Sequence, residues 1–153
     1  MMLDIREATA DDLLQVLALY AQPGLNDGNV LDENQARTIY AQFARYPNYR
    51  LYVGCDAQAP HEIIGSYALL VMHNLAHMGT PSAIAEDVVV HKAKRGQGIG
   101  RKLMAHALAQ ARAAGCYKLA LSSNKRRENA HAFYESLEFE RHGYSFVVDL
   151  PTI

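Results

Sequence analysis

Hydrophobic and polar positions along this chain alternate in some segments and repeat every three to four residues in others. Alternation or a short apolar run predicts a strand, and the longer repeat predicts an amphipathic helix. Proline, glycine and asparagine at 23–24 and 26–29 separate two such segments and predict a turn. In chain order the pattern predicts a strand at 3–5, helices at about 10–20 and 33–45, strands at 49–55, 63–72 and 84–90, a helix at 99–115, a strand at 117–121, a helix at 128–136, and a closing antiparallel pair near 140–142 and 144–150.

This order of elements predicts a mixed α/β fold of the α+β type, with one domain spanning residues 1–153. The expected architecture is a mostly antiparallel sheet of six or seven strands, flanked by about four helices. Half of the residues are hydrophobic, which is enough for one core. The sequence contains no internal repeat, linker or low-complexity segment.

Composition limits the classes of function. The formal net charge of −1 gives no reason to expect nucleic acid as the main partner. No apolar run approaches the length of a membrane span, and the first residues lack the pattern of a secretory signal. We therefore expect a cytoplasmic protein without a membrane partner, in which Cys55 and Cys116 are small core residues in a reducing compartment.

The most specific local pattern joins the predicted strand at 84–90 to the helix that starts near Ile99. The six residues from Arg95 to Gly100 read Arg-Gly-Gln-Gly-Ile-Gly and open that helix. Glycines let the backbone approach a ligand closely, and a helix start presents unpaired N–H groups and a partial positive charge. The segment therefore predicts a phosphate-binding loop.

Two common phosphate loops are excluded by the residues that follow. A P-loop requires a lysine and a hydroxyl residue after its last glycine, whereas Gly100 is followed by Arg101 and Lys102. The dinucleotide-binding pattern requires a third glycine, and its slot holds Arg101 or Leu103, depending on the starting glycine.

The stretch instead resembles the R-x-x-G-x-G motif of the GNAT superfamily of acetyl-CoA-dependent N-acetyltransferases. The resemblance extends to residues 86–90, which are similar to the family's fourth strand, to the block at 129–139, and to the opening residues 5–12. Glu138 departs from the family pattern, which prefers glycine at this helix end. The resemblance implies that the central parallel strands splay apart to admit the cofactor.

The resemblance also implies how acetyl-CoA binds. The pyrophosphate would lie on the amides of the glycine-rich segment beside the two arginines, and the pantetheine arm would pair with the backbone of the fourth strand. Lys125, Arg126 and Arg127 are candidates for the 3′-phosphate. The cofactor residues implied are Val88, Val89, Val90, Arg95, Gly96, Gln97, Gly98, Ile99, Gly100, Arg101, Asn124 and Asn129.

Two side chains are candidate catalytic residues. Tyr134 would protonate the departing thiolate, since a phenol with a pKa of about 10 can donate to a thiolate whose conjugate acid has a pKa of about 8.5. Glu86 would take the proton of the incoming amine. Asp87 is the weaker candidate, because it faces the other way if the strand is regular. His131 is a further candidate contact to substrate or cofactor.

No metal site is expected from the seven histidines. The segment that starts His61-Glu62 breaks the H-E-x-x-H pattern at its last position. His73 and His77 stand four apart, but around a predicted strand end and not on a helix.

The function expected is an N-acetyltransferase that moves the acetyl group of acetyl-CoA to a primary amine by direct attack. Local similarity to glucosamine-phosphate and aminoalkylphosphonate N-acetyltransferases suggests a small anionic amine as acceptor. Three alternatives stay open: a non-catalytic acyl-CoA sensor, a protein N-acetyltransferase, and a binding module that uses a basic cluster. That cluster comprises Lys92, Lys94, Arg95, Arg101 and Lys102. A homodimer that pairs through Tyr49, Arg50 and the final strands also stays open.

Overall fold

The computed structural model describes residues 1–152, which form five strands and four α-helices. The bounds are β1 (Leu3–Glu7), α1 (Leu13–Tyr20), α2 (Glu33–Phe43), β2 (Tyr49–Asp56), β3 (Ala59–Met72), β4 (Ser82–Val90), α3 (Ile99–Ala113), β5 (Leu119–Ala120) and α4 (Glu128–Ser136). Helix α4 has the predicted bounds. Strands β3 and β4 begin before the predicted residues, because their first residues pair with neighbouring strands although they lack an apolar pattern.

One mixed sheet organises residues 1–121. Its strands lie in chain order, β1-β2-β3-β4-β5, and every pair is antiparallel except β4 with β5. The parallel pair is short, joining Ala83 with Leu119 and Ile84 with Ala120. Beyond Ile84, β4 has no β5 partner within the described residues. The predicted mixed sheet with splayed parallel strands is thus confirmed.

Helices cover both faces of this sheet. On one face α1 and α2 pack on β2, β3 and β4, in a cluster that includes Val16, Leu19, Val53, Ala68 and Val89. Side chains alternate between the two faces of a sheet along each strand. Gly65 and Ala68 of β3 are three residues apart and therefore lie on opposite faces. Helix α3 packs on the Gly65 face.

The close approach of α3 depends on two facing glycines, Gly54 and Gly65, which are paired across β2 and β3. A Cβ atom built on Gly65 would lie 2.9 Å from Cδ1 of Leu103 and 3.3 Å from Cγ2 of Ile99. A Cβ on Gly54 would lie 3.3 Å from the other methyl group of Leu103. The glycine pair thus leaves the space that the first turns of α3 fill.

Two compact units divide the described chain, at residues 1–121 and 122–152. The second unit contains α4. The prediction of a closing antiparallel pair at 140–142 and 144–150 is wrong, because no strand lies between residues 137 and 152. Alternating apolar residues give a segment strand propensity, but a strand also requires a backbone partner, which local sequence does not specify. The described chain therefore has five strands and not six or seven.

Candidate active site

The free edge of β4 is the first part of the site. The His91 N–H group donates to the Ile64 carbonyl oxygen at 2.8 Å, so the backbone of residue 91 faces β3. Because backbone groups alternate along a strand, those of Val88 and Val90 face away from β3, toward the edge where β5 has diverged. Val89 is buried, and its two neighbours are half-buried. The edge thus offers donors and acceptors to an extended ligand.

A β-bulge interrupts β4 beside this edge. Ser66 pairs with Val89 and Ala68 pairs with Glu86, so Asp87 and Val88 together oppose the single residue between Ser66 and Ala68. Asp87 adopts a left-handed conformation with φ of 52°, as the first residue of one type of bulge does. Strand β4 is therefore not regular here, because the extra residue shifts the alternation by one position.

Besides burial, the two carboxylates at the bulge, Glu86 and Asp87, both raise the pKa of Tyr49. Glu86 lies opposite Ala68, on the face that α1 and α2 cover, and its side chain is exposed. Partial burial and the neighbouring charge of Asp87 raise the pKa of Glu86. Burial, followed by the charges of Asp87 and Glu86, raises the pKa of Tyr49. Both carboxylates are therefore close enough to Tyr49 for their charges to act on its phenol.

Tyr20, the last residue of α1, is close enough to the bulge for the charge of Asp87 to act on its phenol. Burial is the main cause that raises the pKa of its phenol, and the charge of Asp87 adds to it. Tyr20 and Tyr49 therefore stay protonated at neutral pH. They can donate hydrogen bonds beside the two carboxylates.

The glycine loop, residues 95–98, follows β4 after one turn of 3-10 helix at Lys92–Lys94. Gly96 and Gly98 adopt left-handed conformations, with φ of 76° and 79°, that residues with a Cβ rarely adopt. Arg95 precedes these glycines and Gln97 lies between them, and both side chains are exposed.

Helix α3 starts directly after the glycine loop. Its first hydrogen bond runs from the Lys102 N–H group to the Gly98 carbonyl oxygen, at 3.1 Å. The amides of Ile99, Gly100 and Arg101 therefore have no acceptor inside the helix. Ile99 is buried and anchors the first turn, whereas the Arg101 side chain is exposed. The loop and the helix start have the geometry of an anion site.

An aromatic groove near the bulge was not found from the sequence. Tyr40, Phe43, Tyr46 and Tyr49 line it, with Phe43 stacked on Tyr49 at 4.5 Å between ring centroids. An ion pair between Glu7 and Arg50 lies at its rim. The spacing of these aromatic residues, one in every three positions from 40 to 49, is the signal that sequence reasoning could have used.

Gln22 is a second feature that the sequence did not indicate. Its side chain is buried and bonds to the backbone at both ends of the segment that joins β4 to the 3-10 turn. A single polar residue after a helix gives no sequence signal for such a role.

The second unit contains Asn124 and Asn129, both exposed. The side-chain oxygen of Asn124 accepts from the Arg126 N–H group at 2.9 Å, and its carbonyl oxygen accepts from Arg127 N–H at 3.0 Å. The Nε2 atom of His131 lies 2.8 Å from the same carbonyl oxygen, so the ring donates to it. His131 therefore holds the segment before α4 in place. Asn129 lies in the first turn of α4.

Tyr134 lies in the second turn of α4, between two aromatic rings. Its ring centroid is 5.2 Å from that of Phe133 and 5.9 Å from that of Phe139. The Phe139 N–H group donates to the Tyr134 carbonyl oxygen at 3.1 Å, which keeps these residues together. Burial raises the pKa of the phenol, and the charge of Arg127 opposes this in part. Tyr134 is therefore protonated at neutral pH, as a proton donor must be.

Residues 1–152 contain no group of three or more His, Cys, Asp or Glu side chains arranged to hold a metal ion. None of the helices in the described part of the chain is long and apolar enough to cross a membrane.

Comparison with known proteins places this geometry in a family. A model of the acetyltransferase (GNAT) family matches residues 12–139. An aminoalkylphosphonate N-acetyltransferase from Salmonella typhimurium is 35% identical over 133 residues, which are 86% of this chain and 80% of that protein. A glucosamine 6-phosphate N-acetyltransferase from Trypanosoma brucei brucei is 34% identical over 93 residues, and the match covers 61% of each protein.

Solved structures agree with the fold. The crystal structure of a transcriptional regulator from Bacillus halodurans is 29% identical, with a TM-score of 0.88, covering 97% of this chain and all of that one. The family model, the relatives and the motifs at the free edge of β4 and the glycine loop lead to the same assignment. The predicted enzyme class is thus confirmed: this chain belongs to the acetyltransferase (GNAT) family.

Proposed function

We propose that the protein transfers the acetyl group of acetyl-CoA to a primary amine of a small molecule. The single observation that supports this best is the continuity of the site within β4 and α3. The edge of β4 from 85 to 90 is free on the β5 side, and four residues of turn lead from its end to a glycine loop and a helix start with unpaired amides. An extended thiol arm and a diphosphate need these two features side by side.

In this proposal the β4 edge and the glycine loop hold acetyl-CoA together. The backbone groups of Val88 and the N–H group of Val90 pair with the amide groups of the pantetheine arm, as an added strand would. The diphosphate binds at the glycine loop and the first amides of α3, where the helix dipole favours negative charge. Arg95 and Arg101 are both exposed there and supply compensating charge.

Glu86 is proposed as the base. A substrate amine arrives as an ammonium ion, and it attacks the thioester carbonyl only after losing a proton. The raised pKa of Glu86 makes its carboxylate a stronger base than that of an ordinary glutamate. The tetrahedral adduct then collapses, the C–S bond breaks, and Tyr134 gives its phenolic proton to the departing thiolate. The second proton lost by the amine nitrogen restores the Tyr134 phenol, and Glu86 releases the first proton to solvent. The products are the N-acetylated amine and CoA.

For the acceptor we propose a small amine that also has a phosphorus oxyanion. The support is the similarity to enzymes whose names give an aminoalkylphosphonate and glucosamine 6-phosphate as acceptors. Both are compact molecules with an amine a few bonds from a phosphorus oxyanion. The phenols of Tyr20 and Tyr49, on which the charge of Asp87 acts, are candidate donors to such a ligand.

The test is free-thiol release from acetyl-CoA with a panel of aminoalkylphosphonates, hexosamine phosphates, polyamines, amino acids and aminoglycosides. We expect turnover with a phosphorus-containing amine. Tyr134→Phe should lower kcat by at least about tenfold without weakening CoA binding, because it removes only the donated proton. Tyr144→Phe is the matched control, since Tyr144 is 93% exposed in the same unit.

Other outcomes identify the alternatives. Binding of CoA without turnover of any amine would favour a sensor, and turnover of a peptide N-terminus or lysine alone would favour a protein acetyltransferase. If the wild-type protein failed to bind CoA, the proposal would be wrong as a whole.

A further inference from the structure

Gln22 connects the end of α1 to the end of β4. Its side chain is only 8% exposed, and its amide makes three hydrogen bonds to backbone. Nε2 donates to the carbonyl oxygens of Leu19 at 3.0 Å and of Val90 at 3.3 Å. Oε1 accepts from the Lys92 N–H group at 2.6 Å. Both amide hydrogens and the oxygen of this buried side chain are therefore used.

Together with bonds from the backbone, these bonds satisfy both polar groups of two successive peptide units, 90–91 and 91–92. In the unit that joins residues 90 and 91, the carbonyl oxygen accepts from Gln22 and the His91 N–H group donates to Ile64 at 2.8 Å. In the next unit, the Lys92 N–H group donates to Gln22, and the His91 carbonyl oxygen accepts from Lys94 N–H at 2.8 Å. Each unit is thus fixed at both its donor and its acceptor.

The fixed units lie between the two parts of the proposed cofactor site. Before them is the free edge of β4, and after them come the glycine loop and the unpaired amides of α3. A change of orientation in either unit would rotate the loop relative to the edge, because only residues 93 and 94 separate the contacts of Gln22 from the loop. A ligand that spans both parts requires them in one relative position.

We propose that Gln22 is a positioning residue for the cofactor: it sets the glycine loop relative to the β4 edge and so determines the affinity for CoA. This inference rests on the proposed function, because it concerns the same cofactor site. Gln22 acts through the backbone of residues 90 and 92 and has no role in the chemical step.

Gln15, in helix α1, provides a matched control. Its Nε2 atom donates to the His61 carbonyl oxygen at 2.7 Å, and its Oε1 atom accepts from the Ile63 N–H group at 2.9 Å. Gln15 therefore bridges residues 61 and 63 as Gln22 bridges residues 90 and 92, but on β3 and away from the glycine loop.

The experiment compares Gln22→Met, Gln22→Asn and Gln15→Met by calorimetric titration with CoA and by acetyl-CoA kinetics. Both Gln22 variants should raise the Kd for CoA and the KM for acetyl-CoA by about tenfold, the effect of roughly 1.4 kcal/mol, and leave kcat within about twofold. Gln15→Met should lower the melting temperature similarly and leave both constants unchanged. Asparagine keeps the amide but is one methylene too short, so it tests the contact should the methionine variant fail to fold.

Amide hydrogen exchange of residues 92–98 without ligand gives a readout that needs no turnover. It should speed up in the Gln22 variants and not in Gln15→Met. Unchanged CoA affinity in a folded Gln22 variant, or an equal loss of affinity in Gln15→Met, would overturn the inference while leaving the proposed function intact. A wild-type protein that does not bind CoA would instead refute the proposed function, and this inference with it.

Discussion

At the scale of single residues, backbone strain lies at Glu138, where α4 ends. Its φ is 68°, in the left-handed region that glycine adopts at low energetic cost. The Glu138 N–H group donates to the Glu135 carbonyl oxygen at 3.1 Å, and the next residue bonds back to Tyr134. This is the hydrogen-bond pattern of a Schellman motif. The departure from glycine noticed in the sequence therefore leaves the turn intact but places a Cβ in a strained conformation.

We expect Glu138→Gly to raise the free energy of unfolding by about 1 kcal/mol, because it relieves the left-handed strain of a residue with a Cβ. Urea denaturation would measure the change. The matched reverse is Gly115→Ala, since Gly115 ends α3 in the same motif with φ of 77°. That variant should lower the free energy of unfolding by about 1 kcal/mol. A glutamate-to-glycine change that destabilises the protein would show that the Glu138 side chain makes contacts that outweigh the strain.

Glu86 connects residue chemistry to pH. If it is the base, kcat/KM should fall as the pH drops through its raised pKa, so the acidic limb should lie above the range of an ordinary glutamate. Glu86→Gln should lower kcat/KM by about a hundredfold and remove that limb. Glu62→Gln, at an exposed position of β3, is the control. An acidic limb that persists in Glu86→Gln would assign the base to another group.

The same substitution should affect stability with a definite sign. A carboxyl whose pKa is raised by folding contributes stability below its unfolded pKa and loses it as the pH rises through the folded value. We therefore expect Glu86→Gln to be more stable than wild type at pH 7, with a difference that vanishes in acid. Thermal unfolding of both proteins from pH 7 into the acidic range measures this difference. Equal stability of Glu86→Gln and wild type at pH 7 would contradict the raised pKa of Glu86.

At the scale of elements, the position of α3 depends on two glycines, Gly54 in β2 and Gly65 in β3. Because they lack side chains, α3 can pack closely on the sheet. Leu103 is fully buried against Gly54 and Gly65, and Ile99 packs beside it. Because α3 begins at the glycine loop, the depth at which it packs also sets where its free amides lie.

Gly65→Ala should destabilise the protein by about 1–3 kcal/mol, since its Cβ would meet Leu103 at 2.9 Å and the Val89 carbonyl oxygen at 3.3 Å. It should also weaken CoA binding, because α3 must shift. Chemical denaturation and CoA titration measure the two effects. Gly143→Ala is the control, with nothing within 4 Å of its Cβ. Recovery of stability in the double variant with Leu103→Val would assign the loss to this contact.

At the scale of the whole molecule, one partly buried charge pair joins the first strand to the start of the first helix. Asp12 is 6% exposed and accepts two hydrogen bonds from the Arg6 guanidinium, at 2.7 and 2.9 Å. It also accepts from the Thr9 N–H group at 2.8 Å. The bonds from Arg6, followed by that from Thr9, lower the pKa of Asp12 despite its burial.

Asp12 should therefore contribute to stability in proportion to its ionisation. A lowered pKa adds stability above the unfolded value and loses it as the pH falls through the folded one. We expect Asp12→Asn to lower the free energy of unfolding by about 2 kcal/mol at pH 7. This difference from wild type should shrink as the pH falls below about 4. Asp11→Asn, at an exposed position, should change stability little at any pH. Urea titrations at several pH values would test this, and a difference independent of pH would exclude Asp12 ionisation as the cause.

The sequence by itself determined the family and the elements up to the end of α4. Helical and strand periods depend on neighbours within a few residues, which is why the bounds of α4 and the start of α3 agree with prediction. The glycine loop was also predictable, since left-handed turns and a helix start depend on local residues. Association of two copies and the roles of the individual site residues stay predictions.

The tertiary structure alone decided the features that join distant residues. The bulge at Asp87 exists because β3 and β4 pair out of step, and the strands expected after residue 139 lack a partner that local sequence could specify. Gln22 bonds to residues 68 and 70 positions away, at Val90 and Lys92. Periodicity reports which face of an element is apolar, but such contacts arise only when packing brings separate elements together. The position of the carboxylates, and the link between the β4 edge and the glycine loop, therefore became visible only in the folded chain.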